Sequence, residues 1–342
     1  MLVSLLALWG GEAQALNALS IADMSLEELL ETPVTVASLQ EETFAQAPSS
    51  MTVFTRREIL DMGIRTVEEL LNHVPGMQSV RYGLRDQHTL GVRGLPSEYA
   101  GYGVLFLLNG QRLNDEFAGS ALLTNRLLTT KNLRRVEVIR GPGSALYGAS
   151  AFVGVVNLVT HDELNEVAFA LGSHEGYDGH FAVSHSHPNY RASLFGAVLE
   201  DDGQSDTDPL HPAQRSMRDA QQRKTLFGTF ETNRVRLEGR YSTFALDDYY
   251  VFLSSATNPA NRYEATDASL GLEAQLYRSD AVTLGLRAEV GYTENVAVTE
   301  FLSSAVTTGW PAGTVIPAPA ENPYPPAFGG QVGGLWDYNL GL

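Results

Sequence analysis

The chain of 342 residues contains no cysteine. Without thiols it has no disulfide scaffold, no thiolate metal site and no cysteine nucleophile. Basic residues are also few, since 23 Lys and Arg face 40 Asp and Glu and leave a formal net charge of −17. Binding to a phosphate backbone draws on clustered basic side chains, so this balance argues against a nucleic-acid partner.

Long hydrophobic runs are missing as well. After the first residues, no segment approaches the roughly 18 apolar residues of a membrane-spanning helix, so any membrane crossing must use strands. The start, MLVSLLALWGGEAQA, is apolar and ends in Ala13-Gln14-Ala15, which predicts a secretory signal peptide over residues 1–15. Its basic beginning is absent, so we expect an incomplete signal peptide, with an ordinary buried segment as the alternative.

Helix signals are concentrated before residue 77. A hydroxyl residue followed three positions later by Glu forms a capping box at residues 25–28, 55–58 and 66–69. Gly63 and Pro75-Gly76 then end the second and third helices. With a strand over residues 51–55, this part predicts the order strand, helix, turn, helix.

Short strands and glycine turns follow up to residue 160. Asn109-Gly110 is the preferred pair for a two-residue hairpin between a strand over residues 104–108 and one over residues 111–114. Residues 132–160, NLRRVEVIRGPGSALYGASAFVGVVNLVT, place a charged strand, a Gly-Pro-Gly turn, a small-residue loop and an apolar strand in direct succession.

Three ordered motifs carry a resemblance to a known family. They are LGVRG (residues 90–94), LLNGQRLND (residues 107–115) and the stretch of residues 132–160 that includes Tyr147-Gly148-Ala149. Together they resemble the plug domain of TonB-dependent outer-membrane receptors. The resemblance implies an α+β plug over residues 47–160, preceded by an N-terminal extension over residues 16–46.

After residue 163 the pattern changes to segments of about ten residues with strict apolar and polar alternation. Leu270, Leu272, Ala274 and Leu276 alternate with polar or small residues, and Val282 to Val290 repeats this pattern. Short and long links follow one another, as at the two ends of an outer-membrane barrel. The predicted fold class is therefore an α+β plug domain followed by antiparallel transmembrane β-barrel strands.

The number of these segments predicts an incomplete barrel. We count about seven, whereas plugged transporter barrels have about 22 strands, so residues 161–342 are expected to be the N-terminal part of a 22-stranded barrel. The final residues 310–342 are rich in Pro and Gly and show no terminal aromatic strand. We therefore expect this chain to be the first part of a longer protein.

An uncharged, β-branched segment precedes the plug and resembles the TonB box of the family. It consists of Pro33, Val34, Thr35, Val36, Ala37 and Ser38. An extended segment of this kind adds as a strand to a partner sheet, so the resemblance implies contact with the periplasmic protein TonB. The alternative is that these residues form the first strand of the plug.

Two plug arginines match positions where family members face barrel glutamates. Arg93 and Arg140 are predicted to form a latch with the lumen-facing candidates Glu238, Glu273 and Glu289. The planar guanidinium can donate two parallel hydrogen bonds to one carboxylate. Solvated surface arginines are the alternative.

Turns at the expected plug apices are rich in arginine and tyrosine. The candidate substrate-binding residues are Arg81, Tyr82, Arg85, Tyr99 and Tyr102. Such side chains can stack on an anionic chelate and match its charge, although they equally suit polar loop packing.

Other constellations predict no chemistry. His185 and His187 lack a third ligand at a known spacing, and the acidic residues 200–208 lack the spacing of a calcium loop. No nucleophile elbow or general-base arrangement is present. We expect no catalytic residue, metal site or cofactor, and no enzyme.

The resemblance implies a receptor in the outer membrane of a Gram-negative bacterium, in contact with outer-membrane lipid. It would bind a scarce solute, most commonly a ferric siderophore or similar chelate, and import it to the periplasm with energy from the inner membrane. Two alternatives stay open. One is a passive porin-like or adhesin barrel, and the other is a soluble periplasmic binding module.

Overall fold

The computed structural model describes residues 33–34, 42–43, 50–81, 88–95, 101–114, 121, 128–143, 149–203, 206–207, 216–217, 220–247, 262–279, 283–300 and 327–341. These residues form an α+β domain followed by a large antiparallel sheet. None of the helices in these ranges is long and apolar enough to cross a membrane.

The N-terminal domain is built from short elements. Its strands are β1 (Pro33–Val34), β2 (Glu42–Thr43), β3 (Met51–Thr55), β4 (Met77–Arg81), β5 (His88–Val92), β6 (Val104–Leu108), β7 (Gln111–Arg112), β8 (Leu133–Arg140) and β9 (Gly154–Thr160). Its helices are α1 (Arg56–Asp61), α2 (Val67–Leu71) and the single 3₁₀ turns Gly101–Gly103 and Ala149–Ala151.

Both helices begin at the predicted capping boxes. The hydroxyls of Thr55 and Thr66 accept from the backbone N–H of Glu58 and Glu69 at 3.4 and 3.2 Å, and each glutamate carboxylate accepts from the backbone N–H of the capping threonine. Two of the three predicted helix starts are thus confirmed, and the box at residues 25–28 lies outside the described residues. Gly63 follows α1 with φ +66°, a conformation that favours glycine.

The central sheet of this domain has the strand order β3-β8-β9-β6-β7. Strand β6 runs parallel to β9, and the other neighbours are antiparallel. Both faces are apolar: α1 and α2 pack their buried side chains into the larger core, and Leu105, Leu107, Ile139 and Val155 belong to a second cluster. The hairpin between β6 and β7 turns at Asn109 and Gly110, with φ +51° and +81°, which confirms the predicted turn.

The second part of the chain is an eight-stranded antiparallel sheet, hereafter the wall. Its strands are β10 (Glu166–Leu171), β11 (Tyr177–His187), β12 (Tyr190–Asp201), β15 (Ala220–Thr232), β16 (Val235–Asp247), β17 (Arg262–Arg278), β18 (Thr283–Glu300) and β19 (Ala327–Gly341), paired in that order. A small pair, β13 (Asp206–Thr207) and β14 (Ser216–Met217), lies between β12 and β15.

Strand β19 lies in a stretch where the sequence pattern predicted none. Glycines at several of its positions hide the alternation of side chains, but a ladder needs only backbone amides and carbonyls. Its backbone pairs with β18 from Arg287 to Glu300. The other seven wall strands confirm the segments predicted from alternation.

The two faces of the wall differ in polarity, as the alternation predicted. One face is exposed and apolar, and includes Val167 at 82% exposure and Leu270 at 65%. The opposite face packs on the N-terminal domain and carries buried Thr229, Glu238, Arg240 and Asp267. Wall residues Phe195 and Phe227 join the larger core of the domain.

Candidate functional site between the N-terminal domain and the wall

The turn Asn109–Gly110, hereafter the hairpin tip, lies against the inner face of the wall. Asn109 Oδ1 accepts a hydrogen bond from the Thr160 amide N–H at 2.9 Å, which directs the Asn109 amide nitrogen toward the wall. There Asn109 Nδ2 donates to Glu238 Oε2 at 2.7 Å. A hydrogen bond to a buried carboxylate is stronger than one between neutral groups, so this bond holds the tip against β16.

Glu238 belongs to a charged row on the inner face. Arg236 Nη2 lies 3.6 Å from Glu238 Oε2, and its two Nη atoms donate to the Asp162 carboxylate at 3.2 Å each. Asp162 lies between β9 and β10, so Arg236 also ties the wall to the segment that joins the two parts. The next inward residue, Arg240, pairs with Asp267 of β17 through a 2.6 Å contact. Alternating signs offset the cost of holding these charges away from water.

Two further wall residues contact the hairpin tip. Arg287 of β18 donates to the Gly110 carbonyl oxygen at 3.4 Å and forms an ion pair with Glu273 of β17. Gln111 fills the space beside Gly271, where an added Cβ would overlap its Nε2. The absence of a side chain at Gly271 therefore permits the close approach of β17 to the tip.

A buried polar chain continues from the hairpin tip across the five-stranded sheet. The Gly110 N–H donates to Asn157 Oδ1 at 3.1 Å, and Asn157 Nδ2 donates to Glu137 Oε2 at 3.1 Å. Glu137 Oε1 accepts from Arg135 Nε at 2.7 Å. The Glu137 side chain is 0% exposed, so this chain of contacts runs through the domain interior.

A second set of ion pairs joins α1 to the beginning of the wall. Arg56 pairs with Glu166 of β10, and Glu166 also contacts His180 Nε2 at 2.7 Å. Lys131 pairs with Asp178 of β11. Among the described residues, polar contacts to the wall therefore come from the hairpin tip, from α1 and from Lys131.

His161 lies in the link between β9 and β10. Burial lowers its pKa to about 4, and the positive charges of Arg56 and Arg134 act in the same direction. No group in the described residues hydrogen-bonds its buried Nε2. The neutral imidazole is therefore the form that the folded link accommodates.

A cavity of about 540 Å³ separates the helices from the wall. It lies between α1 and α2 on one side and β11, β12, β15 and β16 on the other, and it is lined by charged groups of both signs, including Arg65, Glu69 and Asp178. The domain therefore leaves open space between its two helices and the inner face of the wall.

Of the two predicted latch arginines, Arg93 makes a different contact in the described residues, and no group there hydrogen-bonds the buried Nε of Arg140. Arg93 Nη2 donates to the Arg140 carbonyl oxygen at 2.6 Å, which ties the β4–β5 hairpin to the end of β8. Arg93 also has φ +50°, beside Gly94 at +79°. A pair between either arginine and a wall glutamate stays a prediction.

The three candidate glutamates all lie on the inner face of the wall. Glu238 accepts from Asn109, and Glu273 pairs with Arg287. Glu289 faces the same side, opposite Gly271 in the register of β17 and β18. Sequence reasoning thus located the glutamates but missed Asn109, because the Asn-Gly signal was interpreted only as a turn.

The structure describes only part of the other candidate residues. Tyr102 is exposed on the 3₁₀ turn Gly101–Gly103, and Arg81 ends β4, while Tyr82, Arg85 and Tyr99 lie outside the described residues. Their role in substrate binding stays a prediction.

Of the segment that resembles a TonB box, Pro33–Val34 pairs with Glu42–Thr43 in a separate two-stranded sheet. The remaining residues, 35–38, lie outside the described part. Pro33–Val34 is not a strand of the five-stranded sheet, which begins at β3.

The weaker constellations have ordinary surroundings. The rings of His185 and His187 lie 5.9 and 5.0 Å from the Tyr190 ring. Glu200 accepts hydrogen bonds from Tyr177 and Gln222.

Comparison with known proteins assigns the N-terminal domain. Residues 43–155 match the TonB-dependent Receptor Plug Domain family. The fold is similar to the ferric yersiniabactin uptake receptor FyuA from Yersinia pestis, with TM-score 0.60 and 19% identity over 75% of this chain and 42% of that chain. It is also similar to FpvA of Pseudomonas aeruginosa bound to a heterologous pyoverdine, with TM-score 0.63 and 17% identity over 85% of this chain and 40% of that chain.

Curated relatives are similar in sequence over part of their length. The vitamin B12 transporter BtuB of Vibrio vulnificus (strain CMCP6) is 30% identical over 185 residues, which are 52% of this chain and 29% of that protein. The iron-regulated outer membrane virulence protein of Vibrio cholerae (strain O395) is 31% identical over 138 residues, 39% of this chain and 20% of that protein. The chain thus spans less than a third of the length of these relatives.

A folded domain seated on the polar face of an apolar-backed strand wall defines a plugged outer-membrane barrel protein. Residues 43–155 match the plug domain of TonB-dependent receptors, and the chain is similar to receptors and transporters of that kind from the outer membrane of Gram-negative bacteria. The predicted fold class, a plug followed by antiparallel barrel strands, is confirmed. The N-terminal domain is hereafter called the plug.

Proposed function

We propose that the protein binds a scarce extracellular solute and imports it to the periplasm with energy delivered by TonB. The observation that supports this proposal is the polar attachment of the plug to the wall. The hairpin tip and α1 are held by hydrogen bonds and ion pairs with Glu238, Arg287 and Glu166. Such contacts can be exchanged for water when the plug moves, which suits a domain that must open a path.

The proposed cargo is a ferric siderophore or similar chelate. Tyr102 is exposed on the plug, and the candidate residues Arg81, Tyr82, Arg85 and Tyr99 supply the aromatic and cationic groups that an anionic chelate requires. One relative is named an iron-regulated outer membrane virulence protein and another a vitamin B12 transporter. Vitamin B12 is therefore the second cargo to test.

We propose that Pro33 to Ser38 is the segment on which TonB pulls. Strand addition requires backbone N–H groups, and proline removes one. Val36→Pro should abolish energised uptake of a radiolabelled ferric siderophore in cells that express the complete reading frame. Val36→Thr, which keeps the amide and the branched side chain, should leave uptake unchanged.

Uptake is measured with and without TonB, and labelled vitamin B12 is measured in parallel. Saturable uptake of one of the two compounds, lost without TonB and in Val36→Pro, supports the proposal and identifies the cargo. Equal uptake by Val36→Pro, by a deletion of residues 33–38 and in cells without TonB would instead identify a passive barrel.

A further inference from the structure

We propose that Asn109 is a positioning residue of the transport cycle, which retains the plug in the wall through Glu238 until the plug is pulled. The inference rests on the proposed function, which it deepens by naming the contact that must break. The supporting observation is the geometry of the Asn109 side chain, whose oxygen accepts from the plug and whose nitrogen donates to the wall.

The orientation of the Asn109 carboxamide is fixed by its plug partners. The Thr160 backbone N–H can only donate, so the atom that it contacts at 2.9 Å must be the Asn109 oxygen. The amide nitrogen then faces Glu238 at 2.7 Å and lies 3.0 Å from the Thr160 hydroxyl. A carboxylate accepts and does not donate, so this contact needs an NH₂ group at position 109.

The surroundings of the hairpin tip are shaped to hold this contact. Asn109 has φ +51°, a conformation that asparagine tolerates better than most residues. Gly271 leaves room for Gln111, and Arg287 reaches the Gly110 carbonyl oxygen. The wall therefore contacts the tip through the Glu238 carboxylate, the Arg287 guanidinium and the backbone at Gly271.

The tip also lies on a direct line from the N-terminal strand. In the register of the sheet, Val53 of β3 lies opposite Glu137, Glu137 opposite Asn157, and Asn157 beside Leu107 of β6. Side-chain contacts join Glu137 to Asn157 and Asn157 to Gly110. Strand β3 follows the segment on which TonB is proposed to pull, and contiguous strand pairing and side-chain hydrogen bonds join it to the tip.

The test reverses the polarity of the contact. Asn109→Asp keeps the oxygen that accepts from Thr160 but places a second carboxylate against Glu238, and like charges at this distance repel. Asn109→Asp/Glu238→Gln restores a hydrogen bond, because the glutamine amide now donates to the aspartate. Asn72→Asp is the matched control, because Asn72 Oδ1 also accepts from a backbone N–H, that of Ser79 at 2.8 Å, and both residues belong to the plug.

All variants are made in the complete reading frame and assayed in cells without TonB. The readouts are influx of a bulky antibiotic through the outer membrane and hydrogen–deuterium exchange of residues 104–112 in the purified protein. We expect Asn109→Asp to raise the antibiotic influx and the exchange rate by about tenfold or more. This factor corresponds to the loss of one hydrogen bond to a charged group. The double variant should return to within about twofold of the parent, as should Asn72→Asp.

An Asn109→Asp protein that behaves like Asn72→Asp would overturn the proposal, as would a double variant as leaky as Asn109→Asp. If Asn109→Asp fails to accumulate in the membrane, Asn109→Gly replaces it, because glycine keeps the positive φ and deletes the carboxamide. Leak and exchange need no cargo or energy source. Failure here with intact Val36-dependent uptake would therefore reject the role of Asn109 alone.

Discussion

At the scale of single residues, the plug keeps a charge in its interior. Glu137 is fully buried, and its carboxylate accepts from Arg135 and Asn157. Burying a carboxylate is costly unless a counter-charge and hydrogen bonds replace the lost water. The charge therefore constrains the register of β8 against β9, because a shift by one residue would move it to the other face.

Removing one member of this pair should destabilise the plug strongly. Glu137→Leu leaves the Arg135 guanidinium buried without its counter-charge, and we expect a loss of about 3–5 kcal/mol. The loss of stability is measured as reduced protection of the β8 and β9 amides from hydrogen exchange in the purified protein. The double variant Arg135→Met/Glu137→Leu should recover most of the loss, and equal exchange in both variants would contradict this account.

At the scale of elements, helix starts follow local chemistry. The Thr66 hydroxyl accepts from the N–H of Glu69, and the Glu69 carboxylate accepts from the Thr66 N–H at 3.3 Å. Such a cap needs no tertiary contact, which explains why its sequence pattern is sufficient to locate the start of α2.

Loss of the cap should have a small, local effect. Thr66→Ala should cost about 1 kcal/mol, which corresponds to about fivefold faster exchange of the amides in Val67–Leu71. Thr66→Ser keeps the hydroxyl and should restore protection. An unchanged exchange rate in Thr66→Ala would mean that packing alone holds the helix.

Wall strands are elements of a different kind, because their outer face requires lipid. Leu270 is 65% exposed near the middle of β17, whereas Leu171 ends β10 beside the loop that starts at Gly172. A charged side chain on the lipid face costs about 2–4 kcal/mol at the midplane and about 0–1 near the interface. Position along the strand should therefore decide the effect of a charge.

We expect Leu270→Arg to reduce the folded fraction in the outer membrane by tenfold or more, and Leu171→Arg to reduce it little. Heat-modifiable mobility on gels after membrane insertion measures the folded fraction. Equal losses in the two variants would show that these residues do not lie at different depths.

At the scale of the whole molecule, the link that joins the plug to the wall carries a partly buried histidine. His161 has an ordinary pKa of 6.5, which burial lowers to about 4 in the folded protein. As pH falls below 6.5, the unfolded link binds a proton that the folded link refuses. The stability that His161 contributes is therefore complete above pH 6.5 and is lost progressively down to about pH 4.

Acidification over this interval should loosen the link between plug and wall. From about pH 7.5 to about pH 4.5, hydrogen exchange of residues 154–166 is measured relative to the rate of an unfolded chain at the same pH, and the protection of these amides should decrease as pH falls. His161→Gln cannot titrate and should show a flatter pH dependence. An identical dependence in His161→Gln would assign the effect to other groups.

Much of this architecture was predictable because its causes are local. Capping hydroxyls, the Asn-Gly turn and period-two alternation each act over a few neighbouring residues, so they located α1, α2, the hairpin tip and seven wall strands. The strand β19 was not predictable, because its glycines carry no alternation.

The pairing of plug with wall was decided by the tertiary structure alone. Sequence reasoning chose Glu238 as a wall residue that faces the plug, and its plug partner Asn109 lies 129 residues earlier in the chain. The twist of the wall and the orientation of the plug decide which side chains meet. Neither can be derived from the spacing of residues along the sequence. The sequence by itself therefore determined the elements and the family resemblance, and the structure determined the contacts that hold the plug in place.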